Sequence, residues 1–163
     1  FCLMSIENQV ISDEARKEIE ALFHHLPHKQ AACIDALKVV QKYNRWVSDE
    51  ALEELAPILE MKTHEIDSVA TFYNIIFRRP VGRHVIFLCN SVSCWVMGYE
   101  SIHKAIKEIL NIDFGMTTPD DRFTFLPIPC LGTCDHAPAL LVDEDLYRDL
   151  KPEQLSEILV KYE

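Results

Sequence analysis

The chain has 163 residues, 48% of them hydrophobic and 26% charged, enough for one ordinary core with an appended helical piece and too mixed for wholesale disorder. Twenty-six acidic residues against 16 basic ones leave a net charge of −10, which repels phosphate backbones and anionic membrane surfaces and argues against nucleic acid as a partner. No apolar run approaches the roughly 20 residues of a membrane span.

The chain starts at Phe1 rather than Met. No basic stretch followed by an apolar run opens it, so no signal peptide is expected, and residues before Phe1 are expected to be missing. Residues 1–11 carry little structural signal. Ser12 is positioned to cap a first helix, with Asp13 and Glu14 in its first turn, where the helix dipole favours acids; Pro27 ends that stretch. A second helix, about Gln30 to Tyr43, places Cys33, Leu37 and Val40 on one face. Ser48 caps a third, with Leu52, Leu55, Ala56 and Leu59 inward, and Pro57 is expected to kink or shorten it. Thr63 is the expected cap of a fourth, running through Ile66, Val69 and Ala70 towards Phe72 and Tyr73.

Composition changes near residue 80. The expected division is a helical region, 1–79, and an α/β (α+β) domain, 80–163. His84 to Leu88 is a near-continuous apolar run, as in a strand buried on both faces, and it ends at Cys89. Residues 99–110 give the cleanest helical pattern, Ile102, Ala105, Ile106, Ile109 and Leu110. Arg122 to Ile128 alternates Phe123 and Phe125 with polar neighbours and reads as a strand. Ala139 to Val142 is a short strand, Asp143-Glu144-Asp145 a turn, and Leu146-Tyr147 a hairpin partner. Pro152 opens a last helix with Leu155, Ile158 and Leu159 inward. The first two strands flank a helix and are expected to run parallel, with a right-handed crossover; the later ones run antiparallel. The arrangement is thioredoxin-like.

Six cysteines pose the chemical question. Cys89 and Cys94 are separated by four residues, Cys130 and Cys134 by three, and each pair directly follows a predicted strand. If those strands are neighbours, both loops leave the same end of the sheet and four thiolates converge. Four thiolates fit a tetrahedral zinc ion, but structural zinc sites favour C-x2-C knuckles. A [2Fe–2S] cluster spreads four thiolates over two irons and suits the looser spacing. A plant-type ferredoxin would need cysteine where Met97 stands, and no C-x-x-C exists for a thioredoxin active site. Spacing favours the iron–sulfur cluster and leaves zinc and redox thiols open. Gly132, between Cys130 and Cys134, permits unusual φ and close approach of backbone amides to sulfur; Ser91, Ser93 and Thr133 offer hydroxyls, although each is also an ordinary loop residue.

Three stretches carry a family resemblance. One is Val69-Ala70-Thr71-Phe72-Tyr73, followed by Arg79-Pro80-Val81-Gly82-Arg83-His84. The next is Cys89-Asn90-Ser91-Val92-Ser93-Cys94. The third is Cys130-Leu131-Gly132-Thr133-Cys134-Asp135-His136-Ala137-Pro138, then Val142-Asp143-Glu144-Asp145-Leu146-Tyr147. From about residue 30 to its end, the chain resembles the thioredoxin-like [2Fe–2S] subunit, known as the E subunit, of bacterial NADH:quinone oxidoreductase (respiratory complex I). The resemblance implies an N-terminal helical bundle followed by a thioredoxin-like [2Fe–2S] ferredoxin domain. It implies Cys89 and Cys94 on one iron and Cys130 and Cys134 on the other. The helical region would dock on the flavin- and NADH-binding subunit, known as the F subunit, and the cluster would exchange electrons with that partner's FMN. The chain itself would bind no NADH, touch no membrane directly, and belong to a peripheral subunit at the cytoplasmic face of the bacterial inner membrane. Equivalent subunits of NAD-linked formate dehydrogenases and hydrogenases are the alternative, as is a zinc-stapled interaction module. Ser48, Pro57 and Lys151 depart from the family pattern in helix details only.

Other residues read more simply. Cys33 is expected to be a small buried hydrophobe, and Cys2 lies near the chain start. His24, His25 and His28 are expected at a solvated helix end, and His136 on a surface loop. Trp95 is a candidate partner contact and Trp46 a staple between helices. Phe72 and Tyr73 are expected at the junction of the helical part and the sheet. No Ser-His-Asp arrangement, phosphate loop or acid–base carboxylate pair stands out, and four glycines are too few to build a dinucleotide loop.

Overall fold

The computed structural model describes residues 9–162, so Cys2 lies outside the described residues. The chain divides into two compact units, Phe1–Pro80 and Val81–Glu163.

The first unit is helical: α1 (Asp13–Leu22), α2 (Cys33–Asn44), α3 (Asp49–Leu59) and α4 (Thr63–Phe72). Ser12 Oγ accepts from the Ala15 amide at 3.2 Å and Ser48 Oγ from the Ala51 amide at 3.2 Å, so both expected serine caps are in place. Thr63 is not a cap. Lys62 holds that position, and its amide donates to the Glu65 carboxylate at 2.8 Å, which supplies the reach-back half of a capping box without a hydroxyl. Lys29–Ala32 forms a 3-10 turn, so α2 starts three residues later than its pattern suggests. Pro57 lies inside α3, which continues two residues past it and stops where Glu60 turns left-handed. The core joins Ala15 and Ile19 of α1 to Ala36, Leu37 and Val40 of α2, Leu52, Leu55 and Leu59 of α3, and Ile66 and Ala70 of α4. Cys33 is buried in this core, and burial raises its thiol pKa. His24, His25 and His28 lie in or beside the 3-10 turn after α1, and all three are exposed.

Phe72 stands out among the apolar residues. It is 75% exposed and Tyr73 37%, their rings in edge contact at 5.2 Å. Helix α4 ends at Phe72, which places its ring beyond the buried stripe of Ile66 and Ala70. The segment after it is fastened instead by polar bonds. The Gln41 side chain donates to the Ile75 carbonyl and accepts from the Phe77 amide, and Arg78 reaches Asp67, Asp49 and the Val47 carbonyl.

The second unit is a five-stranded sheet in the order β2-β3-β1-β4-β5: β1 (His84–Cys89), β2 (Met116–Thr117), β3 (Phe123–Ile128), β4 (Leu140–Val142) and β5 (Asp145–Tyr147). Between β1 and β2 come α5 (Val92–Val96) and α6 (Tyr99–Leu110), and α7 (Leu155–Val160) closes the chain. β1 and β3 are parallel, in register from His84 opposite Phe123 to Cys89 opposite Ile128, whereas β4 and β5 add antiparallel. Ile86, Leu88, Phe123, Phe125, Leu140 and Val142 form a core with Ile102 and Ile106 of α6 and Leu155, Ile158 and Leu159 of α7.

Two residues depart from their expected roles. Ile109 is 42% exposed, because Ile102 and Ile106 are the residues of its helix that are buried against the sheet. Thr124, a polar neighbour in the alternation, is buried, because the Gly82 segment and Thr117 of β2 meet its side chain. Its hydroxyl accepts from the Gly82 amide at 2.6 Å and lies 2.8 Å from that of Thr117. A Cβ on Gly82 would sit 3.0 Å from the Phe123 backbone carbon. Gly82→Ala is therefore expected to cost about 1–3 kcal/mol by overpacking at a site without flexible atoms to yield; urea denaturation of the full chain measures it.

Candidate metal centre

The sheet delivers the cysteines. Cys89 is the last residue of the central strand, and its amide donates to the Ala139 carbonyl at 3.1 Å. The Asn90 amide donates to the carbonyl of Ile128, at the end of β3, at 3.0 Å. Parallel pairing of β1 and β3 thus sends the 90–98 and 129–139 segments out of the same end of the sheet.

Within the first segment, α5 winds about one turn and carries Cys94 inward. Its pattern, Val92-Ser93-Cys94-Trp95-Val96, is too short to show a helical period, and sequence reasoning missed it. The inward side of the turn is buried and the outward side apolar: Val92, Trp95, Val96 and Met97 are 60–70% exposed. Val92, Ser93, Val96 and Met97 line an open hollow of about 360 Å³ together with Cys134.

The second segment crosses Gly132 at φ +77° and makes a 3-10 turn at Cys134–His136. A residue without Cβ adopts that φ with least strain. The turn leaves the Gly132 amide 3.3 Å from Cys130 Sγ, as a donor. His136 is not free: its Nδ1 lies 2.8 Å from Asp149 Oδ2, and the Asp149 amide donates back to the His136 carbonyl at 2.9 Å. The peptide before Pro138 is cis.

The four thiols form two unlike pairs. Cys89 and Cys94 are buried; Cys130 and Cys134 are exposed, with their sulfurs 3.7 Å apart. Two thiolates bound to one tetrahedral metal with bonds of about 2.3 Å would lie about 3.8 Å apart, so this pair already has the span of a shared ion. Burial, then the Cys89 sulfur, raises Cys94 to about 11, partly offset by the Ala139 amide. The Gly132 amide, then Cys134, lowers Cys130, with smaller help from Cys89 and the Ser91 hydroxyl. Cys134 is raised by its neighbour Cys130 and eased down by Ser93. The serines of the first loop therefore serve the sulfurs of the second, and the Ser91 hydroxyl is spared from capping α5. Thr133 is buried, and its carbonyl accepts from the His136 amide at 3.0 Å. Among the described residues, no group of three or more His, Cys, Asp and Glu side chains is gathered tightly enough to hold one metal ion.

This asymmetry sets an order of reactivity in the metal-free chain. At pH 8, iodoacetamide is expected to modify Cys130 first and Cys94 last of these four, because the thiolate is the nucleophile and access limits it. Time-resolved peptide mass mapping reads the order.

Comparison with known proteins places the chain in a family. The thioredoxin-like [2Fe-2S] ferredoxin family matches residues 19–163. The NADH-quinone oxidoreductase E subunit of Escherichia coli strain K12 is 47% identical over 152 residues, 93% of this chain and 92% of that protein. The Pseudomonas aeruginosa protein of the same name is 43% identical over 160 residues, 98% of this chain and 96% of its own length. Among solved structures, an NAD+-reducing [NiFe]-hydrogenase in the H2-reduced state shares the fold, with a TM-score of 0.68 and 24% identity over 80% of this chain and 22% of that longer chain. The chain belongs to the thioredoxin-like [2Fe-2S] ferredoxin family, alongside the E subunits of NADH-quinone oxidoreductases.

Proposed function

We propose that this chain is the electron-carrying E subunit of an NADH:quinone oxidoreductase, holding one [2Fe–2S] cluster on Cys89, Cys94, Cys130 and Cys134. The reading rests on two loops that leave one sheet end with a pair of thiols each, in a chain nearly half identical, over nearly its whole length, to named E subunits. When bound, such a cluster supplies a one-electron store whose charge changes from about −2 to about −3 on reduction.

This chain's residues would hold and tune it. Cys89 and Cys94 supply the buried half of the ligand set and Cys130 and Cys134 the exposed half. The Gly132 amide donates to Cys130, and the nearby Ala139 amide and Ser91 and Ser93 hydroxyls also lower the thiols' pKa values, all of which favours added negative charge. The Cys89, Ala137 and Ala139 surroundings keep water from the inner side. The electron partner in this reading is the FMN of the NADH-oxidising F subunit. The helical region, residues 1–79, would dock on that partner, at the cytoplasmic face of the bacterial inner membrane. Among the described residues, no helix is long and apolar enough to cross a membrane.

Anaerobic purification of the full chain tests the cluster. A red-brown chain with about two irons and two labile sulfides, turning paramagnetic on one-electron reduction, is the expected result. A colourless chain holding one zinc would establish a stapled module instead. Co-purification with a flavoprotein that oxidises NADH tests the partner.

A further inference from the structure

Cys130 and Cys134 stand apart from the other described cysteines. Their sulfurs are 3.7 Å apart and both residues are exposed, whereas Cys33, Cys89 and Cys94 are buried. A disulfide requires about 2.04 Å between sulfurs, so closure asks each side chain to move by about 1 Å. Gly132, midway between them, has nothing within 4 Å of where its Cβ would lie, so the loop has room to tighten. Beyond Cys134, the His136–Asp149 contact at 2.8 Å and the Leu150 amide bonded to the Pro138 carbonyl at 3.1 Å anchor the segment. The closing movement is thereby confined to residues 130–134.

We infer that in the cluster-free chain Cys130 and Cys134 close a reversible disulfide by exchange with a small-molecule disulfide, while Cys89 and Cys94 stay reduced. One thiolate of the pair attacks a sulfur of the small disulfide, breaking its S–S bond and expelling one small thiolate. The other thiolate then attacks the protein-side sulfur of the mixed disulfide, forming the Cys130–Cys134 bond and expelling the second small thiolate. The protein pair loses two electrons and two protons, and the small disulfide gains both. Access selects the pair, because exchange needs a line of approach to sulfur that buried Cys89 and Cys94 do not offer. While closed, the loop has no thiolate to give to iron, so the ambient thiol–disulfide balance gates loading of the site. That gating rests on the ligand reading above; the closure itself does not.

The test uses the full chain stripped of iron anaerobically, placed in glutathione redox buffer, quenched with acid and mapped by mass spectrometry. In the folded chain the 130–134 linkage is expected at least about tenfold faster than any linkage or mixed disulfide at Cys89 or Cys94, and dithiothreitol fully reverses it. In urea, closing a loop over three residues or four differs little, so both pairs should link at similar rates. Cys134→Ser should instead trap Cys130 as a persistent mixed disulfide. Equal rates for both pairs in the stripped chain, including through unfolding on iron removal, overturn the proposal, as do stable mixed disulfides without the 130–134 linkage. In a separate arm, iron and sulfide are added before and after reduction. A reduced chain that never takes up iron counts against the ligand reading and leaves the mass result standing.

Discussion

Cys89→Ser and Cys94→Ser are each expected to leave the anaerobically purified chain colourless. Loss of an outer partner alone costs a metal site about 10–100-fold in affinity, and loss of a ligand costs at least that. The buried pair should suffer more than the exposed one. A serine must lose its proton to ligate, and at Cys94 burial already resists charge, since the thiol itself stands at about 11. Cys130→Ser and Cys134→Ser lie at exposed positions, where water and the Gly132 amide support charge, so residual iron is expected there. Cys33→Ser is the control: it belongs to the helical core, and its iron content should match the parent. Iron analysis and visible absorbance across the five variants decide the matter. Full colour in Cys94→Ser would remove that residue from the ligand set.

Phe125→Ala is expected to be among the most destabilising core truncations, at about 3–5 kcal/mol. The ring is fully buried in the strand beside β1, 4.4 Å from the Phe114 centroid and 5.7 Å from that of His103. Its loss opens a cavity under α6 that the backbone of two hydrogen-bonded neighbours cannot collapse. Ile109→Ala, at a 42% exposed position of α6, should cost under about 0.5 kcal/mol, as surface substitutions do. Urea melts of both variants, followed by far-UV circular dichroism, provide the comparison. A cost below that of Ile109→Ala would mean that the sheet core is organised differently.

Much of this was legible because some segments carry a single strong signal. The run from His84 to Leu88 has no polar break after its first residue, as a central strand requires, and Ile102 and Ile106 stand one helical turn apart. The parallel pairing of β1 and β3 followed from the helix between them. What stayed hidden depends on tertiary context. Helix α5 is too short for a period to be read, and β2 has two residues. Thr124 looks like a solvent-facing residue until the Gly82 amide and Thr117 are seen to meet its hydroxyl. Phe72, in a run of apolar and aromatic residues, gives no hint of its exposure until α4 is seen to stop there. That two cysteine-bearing segments leave one end of the sheet was legible from spacing, but the contrast between a buried and an exposed pair was not, since spacing along the chain says nothing of depth. The lowering influence of Ser91 and Ser93 on the opposite loop's cysteines is invisible for the same reason.

That contrast in depth has a directional consequence. For a carrier of single electrons, the rate of exchange falls with the thickness of insulating matter between donor and acceptor. Around this site the insulation is uneven: the sheet and its packing back Cys89 and Cys94, while little protein covers Cys130 and Cys134. With the cluster on the proposed ligands, the thinnest insulation would lie at the rim where Cys134 meets the apolar hollow of Val92, Val96 and Met97, giving the site a front and a back.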